Sequence, residues 1–223
     1  HQGVQANGFA LAVCDWPWKV GANYQAGYIP TEKRGKVTGV KGRLLLTIDH
    51  RPAAEVYDEW TSGSIRAAMV GGGKVLNQTT LAPLGKPRGM FGGIEAYVLV
   101  HPESVDAATR GLTLFANVEL GQDVVLMHSN SDALVARGGN VARAALARSG
   151  MSAAEVAGAR VIYCAGCMFA IKPQMAQTMD GIRQALGDVP FTAHFSFGEQ
   201  GCVLPKQVAH GNLMASTLLL GRG

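Results

Sequence analysis

Two stretches of the sequence decide the predicted fold: Val161-Ile-Tyr-Cys-Ala-Gly-Cys167 and Phe191-Thr-Ala-His-Phe-Ser-Phe-Gly-Glu-Gln-Gly201. Each is an apolar, β-rich run that ends in small residues beside a polar or ionisable one. One helix-length amphipathic segment separates them, so we expect a strand, a crossing helix and a second strand. This order places Cys164 and Glu199 near the ends of neighbouring strands, where α/β sheets commonly bind ligands. The sequence therefore predicts a pocket there but defines no reaction.

The composition is that of a globular protein with a sizeable core. The chain has 223 residues, of which 48% are hydrophobic and 16% charged, enough for one large domain or two small ones. Its 29 glycines exceed the usual share of about 7% and indicate many tight turns or close backbone approaches. The longest apolar stretches, such as residues 213–220, are far shorter than the ~20 residues that span a bilayer. We therefore expect no membrane insertion.

The charge pattern argues against nucleic acid as a partner. The net charge is +4 and the sequence pI is about 9.0, but the basic residues are scattered. The densest cluster contains Lys33, Arg34, Lys36, Lys41 and Arg43. Such a cluster on two turns is more often a solvated hairpin face than a phosphate-binding track. Cysteines at positions 14, 164, 167 and 202, with no visible signal peptide, favour a reduced, cytoplasmic protein.

The first part of the chain reads as strands followed by a helix. The predicted strands cover residues 9–16, 24–29, 37–40 and 43–48, and the predicted helix covers residues 52–62. Gly42 supplies the positive φ that a hairpin turn between the last two strands requires. Pro52 fits the first turn of the helix. A segment rich in glycine and proline, residues 61–93, then breaks the periodicity, and we place a boundary between two subdomains there.

The rest of the chain mixes strands and helices. The predicted strands cover residues 94–100, 112–118, 124–128, 159–164, 191–197 and 213–220, and the predicted helices residues 131–149 and 173–186. We expect the first three of these strands to form an antiparallel meander. Ser129 or Ser131 caps the first helix, and Gly138-Gly139 in its middle permits either a close backbone approach or a bend. The alternating aromatics of residues 191–197 give that strand one apolar face.

These elements predict the fold class. We expect an α+β (mixed α/β) fold with two subdomains of mostly antiparallel sheet packed with helices. The two subdomains meet around the segment rich in glycine and proline. A core of this size needs no disulfide, so the four cysteines are expected to be free thiols.

Cys164-Ala-Gly-Cys167 has the C-x-x-C spacing of a redox or metal site. A thioredoxin-like motif starts a helix directly after its strand, whereas Pro173 marks the expected helix start several residues later. A structural zinc site needs a second ligand pair, and the sequence has no other C-x-x-C or H-x3-H pair. We therefore interpret Cys164 as a small buried thiol beside a glycine, Gly166, that permits close approach of a ligand.

Glu199 is the second candidate site residue. If the strand persists from Phe191, residue 199 lies on the same side as the aromatic residues, at the edge of the apolar face. Burial there raises the pKa of its carboxyl group unless hydrogen-bond donors compensate. Such a residue is either a ligand contact or a cap for local backbone amides. His210-Gly-Asn212 precedes the last strand and either faces the same site or only shapes a turn.

Two other functions stay open on residue type alone. Cys164 as nucleophile and His194 or His210 as base would suit a hydrolase or transferase. Glu199 could then orient the base, although no local catalytic signature accompanies these residues. A haem group needs an axial His, Cys, Tyr or Met, for which His128 and His194 are candidates.

Three segments, in the expected order, carry a resemblance to a known family. They are the hairpin–helix run that includes Leu45-Leu-Thr-Ile-Asp-His-Arg-Pro-Ala-Ala-Glu-Val-Tyr57, the segment Val161-Ile-Tyr-Cys-Ala-Gly166, and Leu186-Gly-Asp-Val-Pro190 with Phe197-Gly-Glu-Gln-Gly201 and His210-Gly-Asn212. Together they resemble the FIST family, sensory domains of bacterial and eukaryotic signal-transduction proteins thought to bind small ligands. The resemblance implies that residues 1–63 are the C-terminal part of a FIST N-terminal-like domain and that residues 64–223 are a FIST C-terminal-like domain.

The resemblance also implies a function and some site residues. It implies a cytoplasmic small-molecule sensor, coupled in some relatives to kinases, cyclases or chemotaxis receptors, and certain members are similar to haem-binding nitric oxide sensors. It names no ligand, so haem stays an alternative cofactor. By position, Cys164 and Gly166 match the strand-end motif of the family, and Gly198 and Glu199 match its late Gly-Glu pair. Position 167, often Arg in the family pattern, is Cys here, which does not support an anion contact; no catalytic residue is transferred.

The candidate ligand site therefore comprises Cys164, Gly166, Gly198, Glu199, His210 and Asn212. Full-length relatives carry a further segment before the position that matches residue 1. Loss of strands from a layered sheet exposes an edge, so we expect residues 1–60 to pack against that absent segment or against a second copy. The expected partners are thus a small molecule and this segment or protomer, with no nucleic acid.

Overall fold

The computed structural model of the chain describes residues 13–204 and 206–223. Within them, fifteen strands form two sheets and one separate hairpin, and there are six α-helices. About 42% of the residues are in strands, and the mostly antiparallel sheets pack against helices. The expected α+β class is confirmed. None of the helices in the described ranges is both long and apolar enough to cross a membrane.

The elements follow one another along the chain with short connections. In order they are β1 (Val20–Gln25), β2 (Ile29–Lys41), β3 (Leu44–Ile48), β4 (Arg51–Pro52), α1 (Ala53–Trp60), α2 (Ala68–Gly71), β5 (Gly73–Lys74), α3 (Leu76–Thr79), β6 (Leu84–Phe91), β7 (Ile94–Val100), β8 (Pro102–Val105), β9 (Leu112–Leu114), β10 (Asp123–His128), α4 (Ser131–Ser149), β11 (Val156–Cys164), α5 (Ala165–Ala170), α6 (Met175–Leu186), β12 (Phe191–Ser196), β13 (Glu199–Leu204), β14 (Gln207–Gly211) and β15 (Ala215–Gly221). Two 3-10 turns, Ala153–Glu155 and Lys172–Gln174, precede β11 and α6.

The larger sheet has nine antiparallel strands. Its order is β5-β8-β9-β3-β2-β10-β6-β7, and β4 pairs with β3. Gly42, at a φ of 59°, lies in the tight turn between β2 and β3, as the sequence predicts. Helix α1 packs on this sheet through Val56 and Tyr57, which contact Leu45 and Ile48 in one hydrophobic cluster.

The smaller sheet has four strands in the order β1-β15-β11-β12. Strands β11 and β12 are parallel, and α5 and α6 connect them, so the predicted strand, helix, strand order is present. Helices α4 and α6 lie on one face of this sheet and bury Val161, Ile182 and Leu219 there. The β13–β14 hairpin lies beside β1 and β7. A further hydrophobic cluster lies between the two sheets and contains Cys164 and Cys167.

Two strand predictions are corrected by the structure. The strand expected over residues 9–16 falls partly on residues outside the described ranges, and residues 13–16 form no strand. The expected meander is wrong, because β7, β9 and β10 do not pair with one another. Instead β10 lies between β2 and β6, and β9 between β8 and β3. Segments distant in sequence therefore supply the neighbours. The segment expected to be irregular, residues 61–93, contains β6, which pairs with β7.

The N-cap of α4 is also corrected. Neither Ser129 nor Ser131 caps the helix; Asn130 does, because its extended backbone allows its Oδ1 to accept a hydrogen bond from the Ala133 amide at 2.8 Å.

The aromatic face of β12 is more exposed than expected. Phe195 is 48% exposed and Phe197, just after the strand, is 85% exposed. Strand β12 is an edge strand, so only one of its sides has a neighbouring strand. Alternation correctly predicts which side chains share a face, but it does not tell whether that face is covered.

Glycines in α4 allow a close contact with α6. A Cβ atom on Gly139 would lie 2.6 Å from Gly181 O, and a Cβ atom on Gly138 would lie 2.8 Å from the Thr178 methyl carbon. Of the two expected explanations for this glycine pair, the structure has the close backbone approach.

We expect Gly139→Ala to destabilise the protein by about 1–3 kcal/mol, because its new methyl group would overlap a backbone carbonyl that cannot rotate away. Gly181→Ala is the matched control. A Cβ atom there lies 3.8 Å from Gly139 N, an ordinary contact, so this variant should be neutral or more stable by about 0.5–1 kcal/mol. Urea unfolding of both variants measures the difference, and equal stabilities would contradict the proposed helix contact.

Candidate functional site

The ends of the parallel strands β11 and β12 bring Cys164 and Glu199 together. Cys164 is paired with Ser196 in the strand register, and Glu199 follows three residues later. The Cys164 amide donates to Met214 O at 3.2 Å, and the Met214 amide donates to Glu199 Oε2 at 3.1 Å. A single residue of the loop before β15 therefore joins the two predicted site residues.

The Glu199 carboxylate caps local backbone. It is 2% exposed and accepts hydrogen bonds from Ser196 Oγ at 2.7 Å and from the Met214 amide. Burial raises the pKa of this carboxyl group, and the two donors only partly compensate. The hydroxyl of Tyr24 donates to the backbone oxygen of Glu199 at 2.9 Å. Of the two explanations that the sequence left open, the cap is the one that these contacts describe.

Gly198, His210 and Asn212 lie on or next to the β13–β14 hairpin. Gly198 has a φ of 98°, and a Cβ atom there would lie 2.7 Å from His210 Nε2, so His210 covers this glycine. His210 is itself exposed. Asn212 is buried. Its side-chain Oδ1 accepts a hydrogen bond from the backbone amide of His101 at 3.2 Å, and its backbone amide donates to Leu99 O at 3.0 Å. Asn212 therefore ties the end of the hairpin to the end of β7.

The Cys164–Cys167 segment corrects one sequence argument. Helix α5 starts directly after Cys164, whereas the sequence placed the next helix start at Pro173. The strand-to-helix junction expected of a C-x-x-C redox motif is therefore present. Both thiols are free and buried. The Cys167 thiol and burial together raise the pKa of Cys164. A Cβ atom on Gly166 would lie 3.6 Å from Cys164 Sγ, so Gly166 adjoins this thiol.

Arg137 is a buried residue of the site that sequence analysis missed. It is 1% exposed, and its Nη1 donates to Ala26 O at 2.7 Å and to Leu213 O at 2.6 Å. Its guanidinium lies 4.4 Å from the centre of the Tyr163 ring. The sequence did contain a signal: Arg137 follows Leu134 by three residues, so it occupies the buried stripe of α4.

A cleft of about 450 Å³ lies between α3 and α5, and one predicted site residue lines it. This α3–α5 cleft is lined by Leu76, Asn77, Thr80, Leu81, Gly166, Phe169 and Ala170. Thr80 connects it to the interior, because Tyr28 donates to Thr80 O at 2.8 Å and Thr80 Oγ1 lies 3.5 Å from His101 Nε2. Of the six predicted residues, Gly166 lines the cleft, Cys164 adjoins it, and Asn212 reaches it through His101.

A second cleft of similar size, about 450 Å³, lies on the open face of the smaller sheet. This Arg160 cleft is lined by Ala22, Asn23, Tyr24, Arg148, Arg160, Ile162, Gln200, Gly201, Cys202, Ser216, Thr217 and Leu218. None of the six predicted residues is among them. It differs in charge from the α3–α5 cleft, whose lining has no ionisable side chain.

The α3–α5 cleft does not fit a haem group. Its lining contains no His, Cys, Tyr or Met that could be an axial ligand. His101, which is linked to the cleft through Thr80, is buried, and its Nε2 lies 3.5 Å from Thr80 Oγ1. Within residues 13–204 and 206–223, no group of three His, Cys, Asp or Glu side chains could hold a metal ion.

Comparison with protein families gives one match. The family model described as the FIST C domain matches residues 53–202, which include all of the elements from α1 to most of β13. Four of the six predicted site residues lie inside that range. No curated protein and no solved structure matches the chain.

His101 should make stability depend on pH. Burial lowers its pKa to about 4, against an unfolded value of about 6.5, so the folded protein holds the neutral ring. The stability due to this residue is therefore complete above about pH 6.5 and declines as the pH falls towards 4, by roughly 3 kcal/mol in total. Urea unfolding at about pH 7 and about pH 4.5 should show a smaller pH effect in His101→Gln than in the original chain. Replacement of the exposed His128 by Gln is the control and should leave the pH effect unchanged.

Proposed function

The chain belongs to the FIST C domain family, a family of sensory domains, and from this we propose that it senses a small molecule bound in the α3–α5 cleft. The observation that carries the proposal is the position of Gly166, which lines this cleft and adjoins Cys164. The volume of about 450 Å³ lies within the range of small-molecule sites. The absence of a Cβ atom at Gly166 lets a ligand approach the α5 backbone closely.

The lining indicates the chemical class of the ligand. Leu76, Leu81 and Phe169 offer apolar contacts, while Asn77 and Thr80 offer amide and hydroxyl groups. No lining side chain carries a charge, so an ionised ligand would lose its hydration without gaining a counter-charge. We therefore expect an uncharged molecule with an apolar body and one or two hydrogen-bonding groups.

The other five predicted residues are proposed to support the cleft. Cys164 and Asn212 lie one contact behind it, through Gly166 and through His101 respectively. Glu199 fixes the loop before β15 through the Met214 amide. Gly198 and His210 belong to the hairpin that carries Glu199, so they act on the cleft only through that loop.

A cysteine nucleophile at Cys164 is the less favoured function. A nucleophilic thiol needs a lowered pKa and access to substrate. The Cys167 thiol and burial raise the pKa of the Cys164 thiol. Cys164 is also only 5% exposed, so a substrate has little access to it. Among the described hydrogen bonds, none joins Cys164 to a histidine.

Location and partners remain proposals as well. We propose a cytoplasmic protein that acts in signal transduction, in which residues 13–60 pack against another polypeptide segment or a second copy. Val20 and Ile29, 52% and 65% exposed, are apolar side chains in that part of the chain and support such packing. Native mass spectrometry of freshly purified protein reports the subunit number and any retained fragment. A monomer without such a fragment would count against it.

Two tryptophan variants test the site. Ala170→Trp places a large ring in the α3–α5 cleft from an exposed position, and Leu218→Trp does the same in the Arg160 cleft. Neutral probes such as indole, benzyl alcohol and benzamide would be screened by thermal shift, together with any molecule retained in native mass spectrometry. We expect Ala170→Trp to weaken binding at least tenfold, about 1.4 kcal/mol, and Leu218→Trp to leave it unchanged.

The opposite result would assign the ligand to the other cleft. If Leu218→Trp alone weakens binding, or if only anionic molecules bind, the Arg160 cleft is the site and this proposal is wrong. Both variants should keep the melting temperature of the original chain, because both replaced side chains are exposed.

A further inference from the structure

Arg137 brings a positive charge into the centre of the protein. Its Nε and Nη2 atoms are buried and have no hydrogen-bond partner among the described residues. None of the ion pairs found in those residues includes Arg137. The two carbonyls that accept from Nη1 are dipoles and carry no net charge. These carbonyls and the Tyr163 ring stabilise part of the guanidinium, but a buried cation without a counter-charge lowers the stability of the fold, so a nearby negative charge would stabilise it.

Cys167 is the group best placed to supply that charge. The ionisable groups around its sulfur are Arg137 from α4, Tyr28 before β2, Cys164 and Tyr163 from β11, and Glu199 from β13. Burial raises the pKa of the Tyr28 and Tyr163 phenols, so both stay neutral. Burial also works against ionisation of Cys167, but hydrogen bonding with Cys164 and the charge of Arg137 outweigh it and lower its pKa.

Glu199 and Leu213 are the neighbours that oppose a thiolate. The Glu199 carboxyl group has a raised pKa, to which Cys167 itself contributes. Leu213 O lies 3.9 Å from the Cys167 sulfur, and its partial negative charge disfavours a thiolate. The same oxygen accepts a hydrogen bond from Arg137 Nη1, which offsets that partial charge. The hydroxyl of Tyr28 lies 3.5 Å from the sulfur and can donate to it.

We propose that Cys167 is the thiolate counter-ion of Arg137, and that hydrogen peroxide oxidises it to form a disulfide with Cys164. The pair is built for closure. Cys164 ends β11 and Cys167 lies in the first turn of α5, three residues on, a spacing within the reach of a disulfide. This proposal does not depend on the ligand proposed for the α3–α5 cleft.

The chemistry balances with peroxide as the oxidant. The Cys167 thiolate attacks one peroxide oxygen, an S–O bond forms, the O–O bond breaks, and the leaving hydroxide takes a proton to become water. The Cys164 sulfur then attacks the sulfenic sulfur of Cys167. The S–S bond forms, the S–O bond breaks, and the departing hydroxide takes the Cys164 proton as a second water. The Cys167 thiolate and the Cys164 thiol together lose two electrons, one peroxide gains them, and the proton for the first water comes from the solvent.

Cys167 is 0% exposed, so peroxide has to approach it from the α3–α5 cleft, past Gly166. Gly166 lies between the two cysteines in sequence, lines the cleft and is partly exposed. Gly166 has no side chain that could cover the Cys164 sulfur. A Cβ atom at position 166 would lie 3.6 Å from Cys164 Sγ. To reach the Cys167 sulfur, hydrogen peroxide therefore needs a local opening of the first turn of α5.

Oxidation should also weaken the structure around Arg137. A disulfide is neutral, so its formation removes the counter-charge and leaves the guanidinium unpaired. The loop that the disulfide closes has only four residues and constrains the unfolded chain little. We expect the melting temperature to fall by roughly 5 °C or more on oxidation and to recover with a dithiol reductant.

The test uses the full chain with Cys14 and Cys202 replaced by Ser, so that only the proposed pair remains. Trypsin releases both cysteines on one peptide, residues 161–183, because the bond between Lys172 and Pro173 resists cleavage. After peroxide treatment, mass spectrometry should find this peptide short of two hydrogen atoms. Adding Cys164→Ser should leave a sulfenic acid at Cys167 that dimedone traps.

Further variants separate the thiolate from a merely buried thiol. Arg137→Met should slow peroxide oxidation at least about tenfold. If that variant does not fold, the cysteine variants decide: the ultraviolet thiolate absorbance at neutral pH should disappear in Cys167→Ser and persist in Cys164→Ser. Persistence in Cys167→Ser would overturn the proposal. So would a background protein that forms no disulfide under conditions in which the exposed Cys14 of the original chain is oxidised.

Discussion

The buried guanidinium of Arg137 is the interaction on which the junction of the two sheets depends. Strand β1 belongs to the smaller sheet and β2 to the larger, and the connection between them contributes Ala26 O as an acceptor. The loop before β15 contributes Leu213 O. A Cβ atom on Gly27, whose φ is 74°, would lie 2.7 Å from Arg137 Cδ, so that position has room only for glycine. One side chain of α4 thus fixes the point where the chain passes from one sheet to the other.

The sequence predicted those features that follow from local periodicity. Two apolar runs separated by one helical segment predicted neighbouring strands with Cys164 and Glu199 near their ends. The structure shows that these strands are parallel and that the two residues are close. The spans of α4 and α6 and the turn at Gly42 follow from equally local rules. The family resemblance, confirmed over residues 53–202, rested on three such segments. The proposed domain boundary at residue 63 stays a prediction.

What the sequence did not predict depends on contacts between distant segments. Strand β10 lies between β2 and β6, and no feature of its own residues indicates these neighbours. Helix α5 has no side-chain cap and only six residues, so Pro173, which lies in the following 3-10 turn, gave the stronger but misleading signal. The exposure of Phe195 depends on what packs on that face of β12, which the alternation of residue types does not encode. Arg137 shows the same limit. A charged residue on the buried stripe of a helix indicates an unusual partner, but the sequence does not tell which residue that partner is.

A single hydroxyl proton connects the α3–α5 cleft to the buried thiols. Tyr28 has one proton, and two acceptors compete for it: Thr80 O at 2.8 Å and the Cys167 sulfur at 3.5 Å. When Cys167 is a thiol, its own S–H can donate and the Tyr28 proton serves Thr80. When Cys167 is a thiolate, the proton is drawn to sulfur and Thr80 O loses its donor. A ligand that supplies a donor to this part of the cleft would then bind the thiolate state better, and such a difference in affinity between two states is what coupling requires.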